Sequence, residues 1–300
     1  MDAVLLFSGQ GAQKVGMGKD LYDQYPVAKA LIEQADKALG ESLSAVMFEG
    51  PGEELTRTCN CQPALYVHGL ACLAVLKELV PSLNPVAAAG LSLGEFTAHA
   101  AAGTYSFEEG LRLVQKRGAF MEEACNATKG TMAAMIGGTD ENVIKLAQEC
   151  DVDVANFNCP GQTVVSGTEE GVAKAVAGAK AAGCKIAKKL NVAGAYHSRL
   201  MHSAMVKLAE ELKNISFGTP SMPVYCNYEA RVVEGPDDIR SMLEHQVCGS
   251  VRWTASMQKL VDQGHRLFIE LGPGKTPASA RKLRSSPLKT CPAWKPPLRS

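Results

Sequence analysis

Hydrophobic and polar positions fall into two textures along this chain. Val4-Leu5-Leu6-Phe7 is a short continuous apolar run closed by Ser8-Gly9, the pattern of a strand buried on both faces. Gln62-Pro63 opens an apolar segment with helical spacing that runs through Leu79, and Pro85-Val86-Ala87-Ala88-Ala89-Gly90 reads as a second buried strand feeding a turn. Strand and helix alternate, so the predicted class is α/β with a parallel sheet. Between about Lys129 and Val192 the texture changes. Met132 to Ile136, Val152 to Ala155, Thr163 to Ser166 and Lys185 to Leu190 read as short strands, separated by helical stretches Glu141 to Cys150 and Glu169 to Ala182. That β-α-β-β-α-β order is the ferredoxin-like arrangement, here predicted as a small inserted subdomain. Beyond it, Ser198 to Leu212 has helical spacing, and Leu267 to Leu271 is a late strand ending at Gly272-Pro273-Gly274. The reading divides the chain into a large subdomain (1–127 and 197–276), a small one (128–196) and a tail (277–300).

Composition narrows the classes. Across 300 residues, 46% hydrophobic and 21% charged positions describe a chain able to bury a core, not a disordered one. The formal net charge is zero, which advertises neither nucleic acid nor an anionic membrane as partner. Six of the 31 basic residues and none of the acidic ones lie between Pro277 and Ser300, leaving 25 basic against 31 acidic elsewhere. Five prolines share that stretch, which is expected as a basic, poorly ordered tail. Uninterrupted apolar runs fall well short of the ~20 residues of a spanning helix. The ten cysteines form no C-x-x-C pair, and Cys59-Asn60-Cys61 has the wrong spacing for a zinc site, so free thiols in a reducing compartment and no metal are expected. Met1-Asp2 leads straight into the first strand without a presequence pattern, pointing to a cytosolic protein or one whose presequence has been removed.

One motif carries candidate chemistry. Gly90-Leu91-Ser92-Leu93-Gly94 fits G-x-S-x-G between a predicted strand and a predicted helix, the setting of a nucleophile elbow; the alternative is a serine capping a helix. A nucleophilic serine needs a base, and six histidines are available. His99 lies seven residues along the same helix, about 10 Å away at ~1.5 Å per residue, too far to reach back. His68 and His202 sit within helices, and His245 and His265 flank polar segments. His197 lies in Ala193-Gly194-Ala195-Tyr196-His197-Ser198, a loop of small residues at a helix start, where catalytic groups are commonly placed.

The helix after Ser106 adds an inward charge. Ser106-Phe107-Glu108-Glu109 is a capping box that fixes its phase. Leu111, Val114, Gly118, Met121 and Cys125 then form the apolar stripe, and Arg117 falls inside it. A buried guanidinium requires an anion, which is either an internal carboxylate or the carboxylate of a substrate. Gly9-Gln10-Gly11-Ala12-Gln13 fails the dinucleotide fingerprint because position 14 is Lys14, and Gly274-Lys275-Thr276 fails the phosphate-loop pattern because position 269 is Ile269. No nucleotide cofactor is expected, although the first glycine loop could supply an oxyanion donor near Ser92.

In order and spacing, these segments resemble the malonyl-CoA:acyl carrier protein transacylase family. The resemblance rests on Gly9 to Gln13, Gly90 to Glu95, Gln115-Lys116-Arg117-Gly118 with Met121, Asn156-Phe157-Asn158-Cys159-Pro160-Gly161, Ala193 to Ser198 and Leu271-Gly272-Pro273-Gly274-Lys275, spanning Val4 to Thr276. It implies an α/β-hydrolase-like large subdomain with the ferredoxin-like one inserted. Ser92 would then be the nucleophile, His197 the base and Arg117 the clamp on the malonyl carboxylate. The backbone N–H groups of Gln10 and Leu93 would form the oxyanion hole, the backbone carbonyl at Arg252 would orient His197, and Asn156 would lie in the pocket. Leu91, where the family often has histidine, resembles plastid members. His99 stands where the family usually has an apolar residue.

The same resemblance implies the substrates malonyl-CoA and the phosphopantetheine arm of acyl carrier protein, no cofactor, a monomer, and the plastid stroma, with the mitochondrial matrix or cytoplasm as alternatives. Lys185, Lys188, Lys189 and Arg199 are candidates for docking an acidic carrier, equally readable as solvated cations. Competing classes are a thioester hydrolase, a polyketide-pathway acyltransferase and a non-catalytic carrier-binding protein.

Overall fold

The computed structural model describes residues 1–273 and 280–283. The first half builds β1 (Asp2–Phe7), α1 (Lys19–Gln24), α2 (Pro26–Leu39), α3 (Leu43–Glu49), α4 (Gly52–Thr56), α5 (Thr58–Leu79), β2 (Asn84–Gly90), α6 (Leu93–Ala101) and α7 (Phe107–Ala127). Then follow β3 (Gly130–Ile136), α8 (Asp140–Glu149), β4 (Asp153–Cys159), β5 (Gln162–Thr168), α9 (Glu169–Gly178) and β6 (Ile186–Lys189). The chain returns through α10 (His202–Lys213), β7 (Val224–Tyr225), α11 (Pro236–His245), α12 (Trp253–Asp262), β8 (Phe268–Leu271) and β9 (Ala280–Leu283).

The large sheet has the order β7-β2-β1-β8-β9, parallel except for β9. From Ala3 to Phe7 β1 is apolar because both its faces are covered there. Ala3, Leu5 and Phe7 join the major core with α2, α5, α6, α7 and α10, while Val4 and Leu6 pack with Trp253, Met257 and Leu260 of α12 on the other face. Helix α5 has the length and mean hydropathy, 1.3, of a spanning helix, which the uninterrupted runs did not lead one to expect, yet 72% of that window is buried inside the protein. It is the central helix of the major core.

The small sheet is antiparallel in the order β4-β5-β3-β6, the ferredoxin-like topology. Ala133, Met135 and Val165 pack beneath α8 and α9, whereas their neighbours Met132 and Val164 face the other way and join the core of the large subdomain. The loop that returns from β6 to α10 carries His197 to the end of β2, where its Nε2 lies 2.8 Å from Ser92 Oγ.

Within the predicted tail, Ala280–Leu283 departs from the expectation by forming β9 against β8. Those four residues contain no proline, so the backbone can pair along the edge of β8. The rest of the predicted tail lies outside the described residues.

Candidate active site

Ser92 occupies the sharp turn between β2 and α6, with φ 53° and ψ −105°. This conformation costs a non-glycine residue roughly 1–3 kcal/mol and persists only where its surroundings enforce it. Here they do. A Cβ on Gly90 would collide with the backbone of Gly94, and one on Gly94 would collide with the Phe7 carbonyl, so both flanking glycines are demanded by close approach. Asn227 holds the turn from outside: the Ser92 N–H donates to its Oδ1 (2.6 Å), and its Nδ2 donates to the Gly90 carbonyl (2.7 Å).

His197 also has positive φ, 55°. The loop before it must be small because Gly194 lies against Cys125 and Ala195 against Gly130. Its Nδ1 is 2.9 Å from the backbone carbonyl of Gln246 and its Nε2 is 2.8 Å from Ser92 Oγ. A carbonyl only accepts, so Nδ1 carries the proton and the Nε2 lone pair faces the serine hydroxyl. Burial, and next the Arg117 charge, lowers the imidazole pKa to about 4, which keeps it neutral.

Arg117 is 1% exposed, as its place in the apolar stripe predicts. The Ser106–Glu109 capping box that sets the phase of α7 is present in both halves. The guanidinium donates from Nη1 to Gln62 Oε1 (2.7 Å) and from Nη2 to Gln246 Oε1 (2.9 Å) and Ser92 Oγ (3.0 Å). Its Cζ lies 5.0 Å from the centre of the Phe96 ring. Among the described residues no carboxylate pairs with it, and its Nε has no partner. Of the two anions considered for Arg117, an internal carboxylate in contact is therefore not what holds it.

Ser92, His197 and Arg117, distant in sequence, converge in the fold, where the imidazole and the guanidinium each lie within hydrogen-bond distance of Ser92 Oγ. Arg252 is a correction. Its backbone N–H donates to the Asn227 carbonyl (2.9 Å), its Nε donates to the Tyr228 carbonyl (2.8 Å), and it caps α12. The carbonyl at His197 belongs to Gln246 instead, because α11 ends there and its last unpaired carbonyls face the site. Asn156 is buried on β4, bridging to Val251, outside the hydrogen bonds of the cluster.

Leu93 is the first residue of α6, where N–H groups lie free of the helical ladder. Gln10 is a central residue of the turn closed by Ala12 N–H to Gly9 carbonyl (3.3 Å), and a Cβ on Gly9 would strike the Leu91 carbonyl, so this loop lies directly against the elbow. Tyr196 and Gln10 meet at the Thr58 hydroxyl, at 2.7 and 3.4 Å, joining the histidine loop to the first glycine loop.

Four neighbours of the cluster carry no signal in the sequence analysis: Gln62, Glu95, Asn227 and Gln246. Glu95 is fully buried; its Oε2 accepts from Gln246 Nε2 (2.6 Å) and the Asn227 N–H (2.9 Å), and its Oε1 has no partner among the described residues. Burial raises its pKa to about 7 against the opposing effects of Gln246, Asn227 and Arg117. Gln246 was legible in principle. Ile239, Met242, Leu243 and Gln246 follow the helical i, i+3, i+4, i+7 spacing that exposed Arg117.

Residues 4–286 match the model of the acyl transferase domain family. The malonyl CoA-acyl carrier protein transacylase of Bacillus subtilis is 43% identical over 290 residues, covering 95% of this chain and 91% of that protein. The chain belongs to the malonyl CoA-acyl carrier protein transacylase family. Solved transacylase structures share the fold. An acyl carrier protein S-malonyltransferase from Vibrio cholerae superposes with a TM-score of 0.87 at 38% identity, over 91% of this chain and 90% of that one. A malonyl-transacylase in complex with its type II PKS acyl-carrier protein superposes at 0.88 with 37% identity, over 92% and 91%. As a transacylase-family member this chain is an acyltransferase.

Proposed function

We propose that this chain transfers a malonyl group from malonyl-CoA to the phosphopantetheine thiol of an acyl carrier protein, in fatty-acid or polyketide synthesis, through an ester on Ser92. The observation that carries this reading is Arg117, a buried cation 3.0 Å from Ser92 Oγ that is bonded to amide and hydroxyl oxygens and, among the described residues, to no carboxylate. A substrate bearing a free carboxylate gives it a charged, two-pronged partner beside the reacting oxygen.

In the first half-reaction His197 Nε2 takes the Ser92 proton as Oγ bonds to the thioester carbon. The resulting oxyanion is held by the N–H groups of Gln10 and Leu93, each such donor being worth about 3 kcal/mol. Collapse breaks the carbon–sulfur bond, and His197 returns its proton to the departing CoA sulfur. The carrier thiol then repeats these steps on the ester, releasing Ser92. The Gln246 carbonyl holds the imidazole in the required tautomer, so the scheme needs no third carboxylate.

Carrier docking falls to Lys185 and Lys188 at the exposed β6 edge, because Arg199 is paired with Asp151 and Asp153 and Lys189 with Glu169. A complex of a related malonyl-transacylase with its carrier supports such a partner. The Leu91 form of the elbow supports a plastid location for this reaction.

Intact-mass measurement after mixing with malonyl-CoA tests the reading. A malonyl ester on Ser92 that is discharged faster by holo carrier than by water is the expected result. Discharge by water alone identifies a hydrolase, and no adduct at all identifies a non-catalytic carrier-binding protein.

A further inference from the structure

Gln246 hydrogen-bonds to all three members of the cluster, and no other of the described residues does so. Its backbone carbonyl faces His197 Nδ1, its Oε1 accepts from Arg117, and its Nε2 donates to the Ser92 carbonyl (3.0 Å). The orientation of that amide is forced. The Ser92 carbonyl can only accept and the guanidinium can only donate, so the NH2 end must face the elbow and the oxygen end must face Arg117. The second proton of the NH2 group goes to Glu95 Oε2 at 2.6 Å, and Glu95 is itself fixed by the backbone N–H of Asn227.

Glu95 touches neither Ser92 Oγ nor Arg117 by hydrogen bond, and its other oxygen is unpartnered among the described residues. A fully buried carboxylate is costly, and stability alone would favour an apolar side chain at this position on α6. We propose that Glu95 is a positioning residue for carboxylate selection: by anchoring the Gln246 amide it holds the Gln246 oxygen on Arg117, and so aims the guanidinium at the site beside Ser92. The inference deepens the malonyl reading and rests on it. Because the carboxylate acts as an acceptor, glutamine can replace it: one amide oxygen can receive both the Gln246 and Asn227 donors.

The experiment compares single-turnover ester formation on Ser92 from malonyl-CoA and acetyl-CoA, by intact mass, in the wild type, Glu95→Ala, Glu95→Gln, Gln246→Met and the double variant Glu95→Ala with Gln246→Met. In Glu95→Ala the half-saturating malonyl-CoA concentration rises about tenfold while the maximal rate and acetyl loading change less than about twofold, the loss expected of one hydrogen bond acting on a charged clamp. Glu95→Gln recovers the malonyl preference. Gln246→Met loses malonyl loading more than acetyl loading, since His197 keeps its backbone carbonyl, and adding Glu95→Ala to it costs nothing further. Equal loss of malonyl and acetyl loading, failure of Glu95→Gln to recover, or additive losses overturn the inference while leaving the transacylase reading intact. If Glu95→Ala does not fold, the Gln246→Met and Glu95→Gln results decide it alone. Absence of a malonyl ester in the wild type overturns both.

Discussion

Arg117 Nη2 donates to Ser92 Oγ at 3.0 Å, on the same oxygen that His197 Nε2 meets at 2.8 Å. The serine oxygen therefore accepts from a cation and donates to a neutral imidazole at once. A positive charge beside the oxygen favours loss of its proton, and the cation is aimed at the position where an acyl group joins that oxygen.

Arg117→Ala separates these roles. Loss of a charged hydrogen-bond donor to the substrate carboxylate is worth about 1.5–3 kcal/mol, or roughly 10- to 150-fold in kcat/KM for malonyl-CoA. Acetyl-CoA has no carboxylate to lose, so its loading falls by much less. Parallel measurements with the two thioesters check this, and equal declines would remove Arg117 as the selector.

His197→Ala is expected to slow Ser92 acylation by ~10²- to 10⁴-fold. The wild-type pH profile is equally informative. Burial and the Arg117 charge hold the imidazole near 4, well below its ordinary value of 6.5. Single-turnover loading should therefore stay level from pH 8 to about 5 and fall to half near 4, as protonation removes the base. A half-maximum near 6.5 would contradict the buried, neutral imidazole.

Stability follows pH for a related reason. Burial lowers the pKa of His68 to about 4, of His99 to about 3 and of His197 to about 4. Between those values and 6.5 the unfolded chain binds protons that the folded one refuses, so stability is fully present above about 6.5 and is lost as pH falls toward 4. Each imidazole contributes at most about 1.4 kcal/mol per pH unit in that window. Glu95 opposes them: its carboxyl, raised to about 7, contributes stability below about 4.5 that is lost as pH rises through 7. Three groups outweigh one, so the thermal midpoint should drop on acidification from pH 6.5 to 4.5. A midpoint flat across that range would show that the histidines are not buried as described.

The parts of the site that were legible in sequence are those with local signatures. Ser92 announces itself by flanking glycines, and Arg117 by its phase in a helix whose start Ser106 and Glu109 fix. His197 was left among six histidines by reach and loop composition. Arg252 was misassigned because a backbone carbonyl has no residue signature, and only the end of α11 shows that Gln246 supplies it. Glu95 was missed for a different reason. Helix α6 is buried around most of its circumference, so no apolar stripe existed against which an inward charge could stand out. Fold class was read from strand texture, whereas β9 was hidden by the prolines around it.

Asn227 provides a test of the elbow that is independent of substrate choice. It is 1% exposed, lies on the loop after β7, and meets both the Ser92 N–H and the Gly90 carbonyl, so it braces the strained turn from each side. Replacing it with alanine leaves a buried donor and a buried acceptor unpaired, at a cost of about 1–3 kcal/mol for each group that water cannot reach. The positive-φ conformation of Ser92 then loses part of what enforces it, and the hydroxyl moves relative to His197. Asn227→Ala should consequently lower the denaturation midpoint and reduce malonyl and acetyl loading by the same factor, in contrast to Arg117→Ala. Calorimetry with parallel loading assays reads both effects. A selective loss of malonyl loading would mean that Asn227 serves the carboxylate site instead of the turn.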